Sequence, residues 1–161
     1  MAHIHIEQPQ FPAEREEILS LIYAYTESLG IELSFQNFDH EISQFPGKYS
    51  HSEGGAFLIA KRSTSHGSEI VGTVGLCRNP DNWCEMKRLY VSPAGRGSGI
   101  GEKLLEAIIR TAREMGYQGI RLDTLPTMKA ALKLYRKYGF EEIEPYYFTP
   151  IEGTVFMGLR L

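Results

Sequence analysis

The sequence predicts an α/β chain of the α+β kind: one mixed, mostly antiparallel central sheet flanked by helices on both faces. Three observations carry this. Short apolar segments rich in β-branched residues alternate with stretches whose apolar residues recur at helical spacing. Two strand-like segments, 55–60 and 69–77, flank a polar turn and read as an antiparallel hairpin. Strand and helix patterns are otherwise interleaved, so part of the sheet is expected to be parallel. A length of 161 residues suits one core, and residues 1–161 are expected to form a single domain.

Ile4 and Ile6 alternate with His3 and His5, the pattern of a short opening strand. The two histidines are conceivable metal ligands, but polar positions on one strand face are ordinarily exposed. Nothing in the chain has a metal-ligand spacing, so no metal is expected. Residues 12–29 read as a helix. Pro12 suits its first turn, Ile18, Leu21, Ile22, Tyr25 and Leu29 form one stripe, and Gly30 stops it. A short second helix carries Phe35, Phe38, Ile42 and Phe45 and ends before Pro46. After the hairpin, the turn at 78–83 leads into a strand at 84–91, which Pro93 and Gly95 break. The helix that follows turns Ile100, Leu104, Leu105, Ile108, Thr111 and Met115 inward and Glu102, Lys103, Glu106, Arg110 and Arg113 outward, with Gly116 as its cap. A strand at 119–124 precedes a helix running from Pro126 to Gly139, with Met128, Ala131, Leu132, Tyr135 and Tyr138 on related faces. The chain closes with a strand near 140–145, a loop rich in proline and tyrosine, and a strand at 153–161.

Composition narrows the function. Hydrophobic residues make up 42% and charged residues 23%, as in soluble globular proteins. No stretch is long and apolar enough to span a membrane, and the first ten residues lack the basic cluster and apolar run of a signal peptide. A cytoplasmic protein without a membrane partner is expected. Cys77 and Cys84 lie in apolar, strand-like surroundings and read as reduced, buried hydrophobes, a catalytic thiol being the alternative. The net charge of −3 is uneven. Residues 1–57 hold two basic and nine acidic side chains, and 58–161 hold fifteen and eleven. The basic part suits an anionic cofactor and the acidic part a cationic acceptor. Glu14, Glu16 and Glu17 equally suit the first turn of a helix. No basic stripe with interleaved aromatics points to nucleic acid.

The most informative segment is Arg96-Gly97-Ser98-Gly99-Ile100-Gly101, between a strand and a helix. The first N–H groups of a helix have no internal partner, and the helix dipole adds partial positive charge. Glycines let such a backbone approach a ligand closely, so the place suits a phosphate or pyrophosphate. It is not a Walker loop, because Glu102 and Lys103 follow Gly101. It is not a dinucleotide fingerprint either, because Glu102 stands where the third glycine belongs.

The pattern Arg-x-x-Gly-x-Gly, after a strand ending LYVSP, resembles the acyl-CoA pyrophosphate loop of the GNAT superfamily of N-acetyltransferases. Residues 131–140, ALKLYRKYGF, look like that superfamily's A-x-x-L-Y-x-x-x-G-F signature, in the right order and separation. The resemblance is strong over about residues 69–161 and rests on element order before that. EMKRLYV and RLDTLPTMKAALKLY together resemble a group of small bacterial members. One departure stands out: many members carry Asn seven residues before the signature tyrosine, and here that residue is Met128.

The resemblance implies acetyl-CoA as acyl donor and a small-molecule amine as acceptor, joined by direct attack in a ternary complex. It implies that the strand at 89–91 splays from that at 119–124, so that the backbone of Leu89, Tyr90 and Val91 meets the pantetheine arm and polarises the thioester. Acetyl transfer to an amine needs a base for the ammonium and an acid for the departing sulfur. Glu85 matches a glutamate that serves as base, often through water, in several members; it can also simply attract the ammonium. Tyr135 matches a tyrosine near the sulfur and is the expected acid. The acceptor pocket is expected between the second helix (Phe35, Gln36, Phe38) and the late loop (Tyr146, Tyr147). A non-catalytic acyl-CoA sensor of the same fold and transfer of a longer acyl group are the rival readings. Many relatives are dimers, which leaves a homodimer open.

Overall fold

The computed structural model describes residues 3–29 and 38–161. Among them the strands are β1 (His3–Glu7), β2 (Ala56–Thr64), β3 (Gly67–Arg78), β4 (Trp83–Val91), β5 (Gly119–Thr124), β6 (Glu141–Glu142) and β7 (Val155–Arg160). The α-helices are α1 (Arg15–Leu29), α2 (Phe38–Gln44), α3 (Ile100–Glu114) and α4 (Lys129–Lys137). The strands form one sheet in the order β1-β2-β3-β4-β5-β7-β6. β4 and β5 are parallel, as the long crossover through α3 allows, and the other neighbouring pairs are antiparallel.

Strand alternation divides the core in two. On one face Leu58, Val74, Leu76, Met86 and Ile120 pack with Leu104, Leu105 and Ile108 of α3 and Leu132 and Tyr135 of α4. On the other, Phe57, Ile59, Ile70 and Cys77 pack with Ile18, Leu19 and Ile22 of α1 and Phe38 and Ile42 of α2.

Several boundaries differ from the sequence reading. Pro12 lies in a turn at 11–14, where its carbonyl accepts the Arg15 N–H at 3.2 Å, so α1 starts at Arg15. Pro126 belongs to a turn closed by the Met128 N–H on the Leu125 carbonyl (3.0 Å), so α4 starts at Lys129. The strand expected at 140–145 shortens to Glu141–Glu142. Ile143 adds one further bond, to Phe156, and the chain then leaves the sheet before Pro145. In α3 the inner face takes Ile109 and Ala112, while the Thr111 hydroxyl bonds back to the Ala107 carbonyl at 2.9 Å. Phe35 and Gln36 lie outside the described residues, as does Gly30.

β4 contains one extra residue. Thr73 pairs with Tyr90 and Gly75 with Lys87, so three steps in β4 oppose two in β3. Arg88 takes up the excess at φ +61°, and the buried Thr73 hydroxyl donates to its carbonyl at 2.7 Å.

Candidate active site

The site starts where two parallel strands part. β4 and β5 pair at Trp83–Gly119, Cys84–Ile120 and Glu85–Arg121, and no further. Gly119 is required at the closed end, because a Cβ there would stand 2.3 Å from the Trp83 ring. Beyond Glu85 the edge of β4 that faces β5 has no strand partner, so its backbone groups open onto a cleft of about 420 Å³. Leu89, Tyr90, Val91, Arg96 and Gly101 line the cleft from the β4 side, and Leu122, Asp123 and Thr124 from β5. Met128, Ala131, Leu134 and Tyr135 line it at α4, and Tyr25, Ser28 and Leu29 at α1. The expected splay and the expected strand residues therefore coincide with one cavity.

The glycine loop abuts it. Gly97 (φ +87°) and Gly99 (φ +69°) take left-handed conformations, and a Cβ at either would meet nothing within 4 Å. Gly99 is the N-cap of α3, and the Lys103 N–H makes the first intrahelical bond, to the Gly99 carbonyl at 3.1 Å. The N–H groups of Ile100, Gly101 and Glu102 thus have no partner within the helix. The Ile100 side chain is buried in the core, so only its backbone faces outward. Gly97, Ser98 and Gly99 lie beyond the cleft lining, at the loop outside it. Arg96 donates from Nε to the Val91 carbonyl at 3.4 Å, which ties the loop to β4.

Met128 lines the cleft at the start of α4 and places a thioether where an amide is usual. Tyr135 also lines it and packs on Phe140 with ring centroids 5.7 Å apart. Burial raises the Tyr135 hydroxyl far above its ordinary value, so it stays protonated and can donate. Tyr138, by contrast, is a strut between helices: its hydroxyl bonds to Glu106 of α3, beside an ion pair from Lys137 to Glu102 at 2.7 Å.

The opposite face holds the carboxylates. Glu85 sits at the vertex of the two strands and is 8% exposed. It lines a separate polar groove with Gln44, Lys48, Arg78 and Asn79, and does not line the cleft. Its Oε2 accepts the Tyr146 hydroxyl at 2.7 Å, while the Cys77 thiol and Lys87 Nζ approach Oε1 at 3.8 and 3.9 Å. Tyr147 bonds through its hydroxyl to Asp123 Oδ2. The two tyrosine rings stand 5.5 Å apart and both pack on Phe156. The tyrosines expected in the acceptor pocket are thus holders of carboxylates and lie behind the cleft lining. Phe38 is buried under the Arg88 guanidinium, 5.3 Å from its carbon to the ring centroid, and also lies outside the cleft.

The bulge has its own anchor. Arg88 Nε and Nη2 donate to the two oxygens of Glu41 at 2.8 and 3.0 Å, with Tyr49 and Lys48 completing the cluster at 3.0 and 3.1 Å. Burial alone would raise the Glu41 carboxyl, but the Arg88 guanidinium and then Lys48 hold it down at about 2. Cys77 and Cys84 are free and buried, and burial pushes their thiols up to about 11 and 12. Neither is a thiolate near neutral pH, which disfavours the catalytic-thiol alternative.

Sequence reasoning missed Asp123, Tyr25, Ser28 and Lys87, all of which line the cleft. Asp123 was findable. It lies two residues past Arg121 on the strand expected to splay, so alternation returns it to the α1 face. Among the described residues, no group of three His, Cys, Asp or Glu side chains could hold a metal, and no helix is long and apolar enough to cross a membrane.

Comparison with known proteins agrees with the geometry. A profile described as the acetyltransferase (GNAT) family matches residues 13–140 and so reaches well before residue 69. An uncharacterised N-acetyltransferase of Schizosaccharomyces pombe is 34% identical over 160 residues, which cover 99% of this chain and 96% of that protein. A GNAT-family acetyltransferase structure from Staphylococcus aureus Mu50 superposes with a TM-score of 0.78 at 27% identity, covering 98% of this chain and 99% of its own. A Salmonella typhimurium protein solved with its cofactor acetyl-CoA shares the fold, with a TM-score of 0.71 at 18% identity and coverage of 98% and 93%.

Proposed function

This chain belongs to the acetyltransferase (GNAT) family and is an acyltransferase; we propose that it moves an acetyl group from acetyl-CoA to a primary amine of a small molecule by direct attack in a ternary complex. The observation that carries this reading is the parting of β4 and β5 after Glu85, which opens unpaired strand backbone onto a cleft that ends at the free N–H groups of α3. A pantetheine arm needs an extended polar edge, and a pyrophosphate needs a helix start; both stand here in line. In this reading the backbone of residues 97–101, with Arg96 beside it, holds the pyrophosphate, and Leu89, Tyr90 and Val91 hold the arm. Donors fixed along that edge would stabilise the oxyanion that forms at the thioester carbonyl. Tyr135, kept neutral by burial, supplies the proton to the departing sulfur. Glu85 at the vertex, with Tyr146 on one oxygen, would reach the amine only through water or by attracting its charge.

The test is release of free thiol from acetyl-CoA by the purified protein against L-amino acids, spermidine and tyramine. The expected result is release that depends on one class of amine. Release no faster than without amine, across the whole panel, overturns the reading, and acetyl-CoA binding without turnover would make the protein a sensor.

A further inference from the structure

Among the described residues, Asp123 is the carboxylate that lines the cleft. β4 and β5 run in the same direction, so two residues past the last pair are Lys87 on one lip and Asp123 on the other. Both line the cleft. Leu122 points into the α3 face, so Arg121 and Asp123 point to the α1 face, where an acceptor would come in opposite the helix-start loop. One Asp123 oxygen, Oδ2, is held by Tyr147. Glu85, in contrast, sits at the closed vertex, has Tyr146, Cys77 and Lys87 around its two oxygens, and opens on a different groove.

We propose that Asp123 binds the acceptor's ammonium and takes its proton. This rests on the reading of the chain as an amine acetyltransferase. The ammonium loses one proton to the Asp123 carboxylate, which passes it to solvent. The freed lone pair forms the C–N bond, and the carbonyl π pair moves to oxygen and returns as the C–S bond breaks. Sulfur leaves with the bonding pair and takes the Tyr135 proton. The nitrogen's second proton departs and restores Tyr135 through solvent, so one proton is released per turnover. The groups around Asp123 are Tyr25 of α1, Lys87 and Arg88 of β4, Arg121 of β5, Tyr135 of α4, and Tyr146 and Tyr147 of the late loop. Tyr25, Tyr135 and Tyr146, with hydroxyls raised by burial, stay neutral over the working range, and among the described residues Asp123 is the carboxylate that lines the cleft beside them.

The experiment uses the same thiol-release assay with the amine from the L-amino acid, spermidine and tyramine panel that the wild type accepts. Asp123→Asn is isosteric. It is expected to keep acetyl-CoA affinity and to lower kcat/KM by roughly 10²-fold at pH 7, the gap closing toward pH 10, where an alkylamine with a pKa of about 10.4 deprotonates unaided. As a second readout, Tyr147→Phe removes a donor to the carboxylate and should move the acid limb of kcat/KM upward. An Asp123→Asn profile like the wild type's, a deficit equal at every pH, or a limb unmoved by Tyr147→Phe overturns the assignment alone. Wild-type inactivity toward the whole panel overturns the transferase reading and the assignment with it.

Discussion

Replacing Glu41 by Gln tests whether a buried ion pair fixes the bulge of β4. Glu41 and Arg88 are each 5% exposed at the side chain, and each oxygen of Glu41 meets one guanidinium nitrogen. The carboxyl is held at about 2 in the fold against an ordinary 4.5. At 1.36 kcal/mol per unit this is worth roughly 3 kcal/mol. The folded value lies below the unfolded one, so the contribution is complete above about pH 4.5 and disappears as pH falls toward 2. About 2 kcal/mol of it should be gone between pH 6 and pH 3. Gln removes the charge but leaves Arg88 buried, which should cost about 3–5 kcal/mol at pH 7. The assay is urea unfolding at pH 3, 4.5, 6 and 7, followed by the single tryptophan, Trp83. The wild type should weaken on acidification by about 2 kcal/mol more than the variant does. Equal pH dependence in the two proteins would refute the argument that Arg88 depresses Glu41.

Other outcomes follow from the same geometry. Gly99→Val, at φ +69° and at the N-cap of α3, should weaken acetyl-CoA binding at least tenfold by calorimetry, while backbone strain lowers stability by about 1–3 kcal/mol; unchanged affinity in a folded variant would remove the loop from the cofactor site. Tyr135→Phe should lower kcat about 10²-fold with acetyl-CoA affinity kept, and full activity across pH would mean another donor protonates the sulfur. Cys77 and Cys84, buried with thiols near 11 and 12, should resist a disulfide reagent at pH 8 in the native protein and react fully in urea; rapid native labelling would contradict both their burial and their protonation.

The fold was legible because its elements are locally consistent. The stripe of α3 and the hairpin of β2 and β3 follow from periodicity, and Gly99 and Gly116 mark the ends of α3 where only glycine is comfortable. The cleft and the glycine loop beside it were legible for a related reason: backbone geometry depends on where strands and helices end, which sequence marks well. The contacts of the late loop were not. Tyr146 and Tyr147 were read as pocket walls because aromatics in a late loop suit a pocket, but which carboxylate each would meet depends on tertiary placement. Glu85 and Asp123 look alike in sequence. Only the point at which β4 and β5 stop pairing puts one at a closed vertex and the other in the open cleft. The bulge had no local signature, since Arg88 is an ordinary residue whose positive φ depends on Thr73 and Glu41 from elsewhere in the chain.

The extra residue in β4 also makes the length of that strand something selection can act on. Substitutions between Met86 and Tyr90 exchange one side chain for another, whereas losing a single codon there would bring the ladder with β3 back into step. The residues on either side would keep their faces, because Lys87 and Tyr90 already lie on one face opposite Gly75 and Thr73, but the strand would lose the extra position that holds Arg88 at φ +61° against Glu41. Among natural variants of this chain, the segment should therefore drift in composition while its residue count stays fixed, and insertions or deletions should gather instead in the turns at 65–66 and 148–153, where no ladder keeps count.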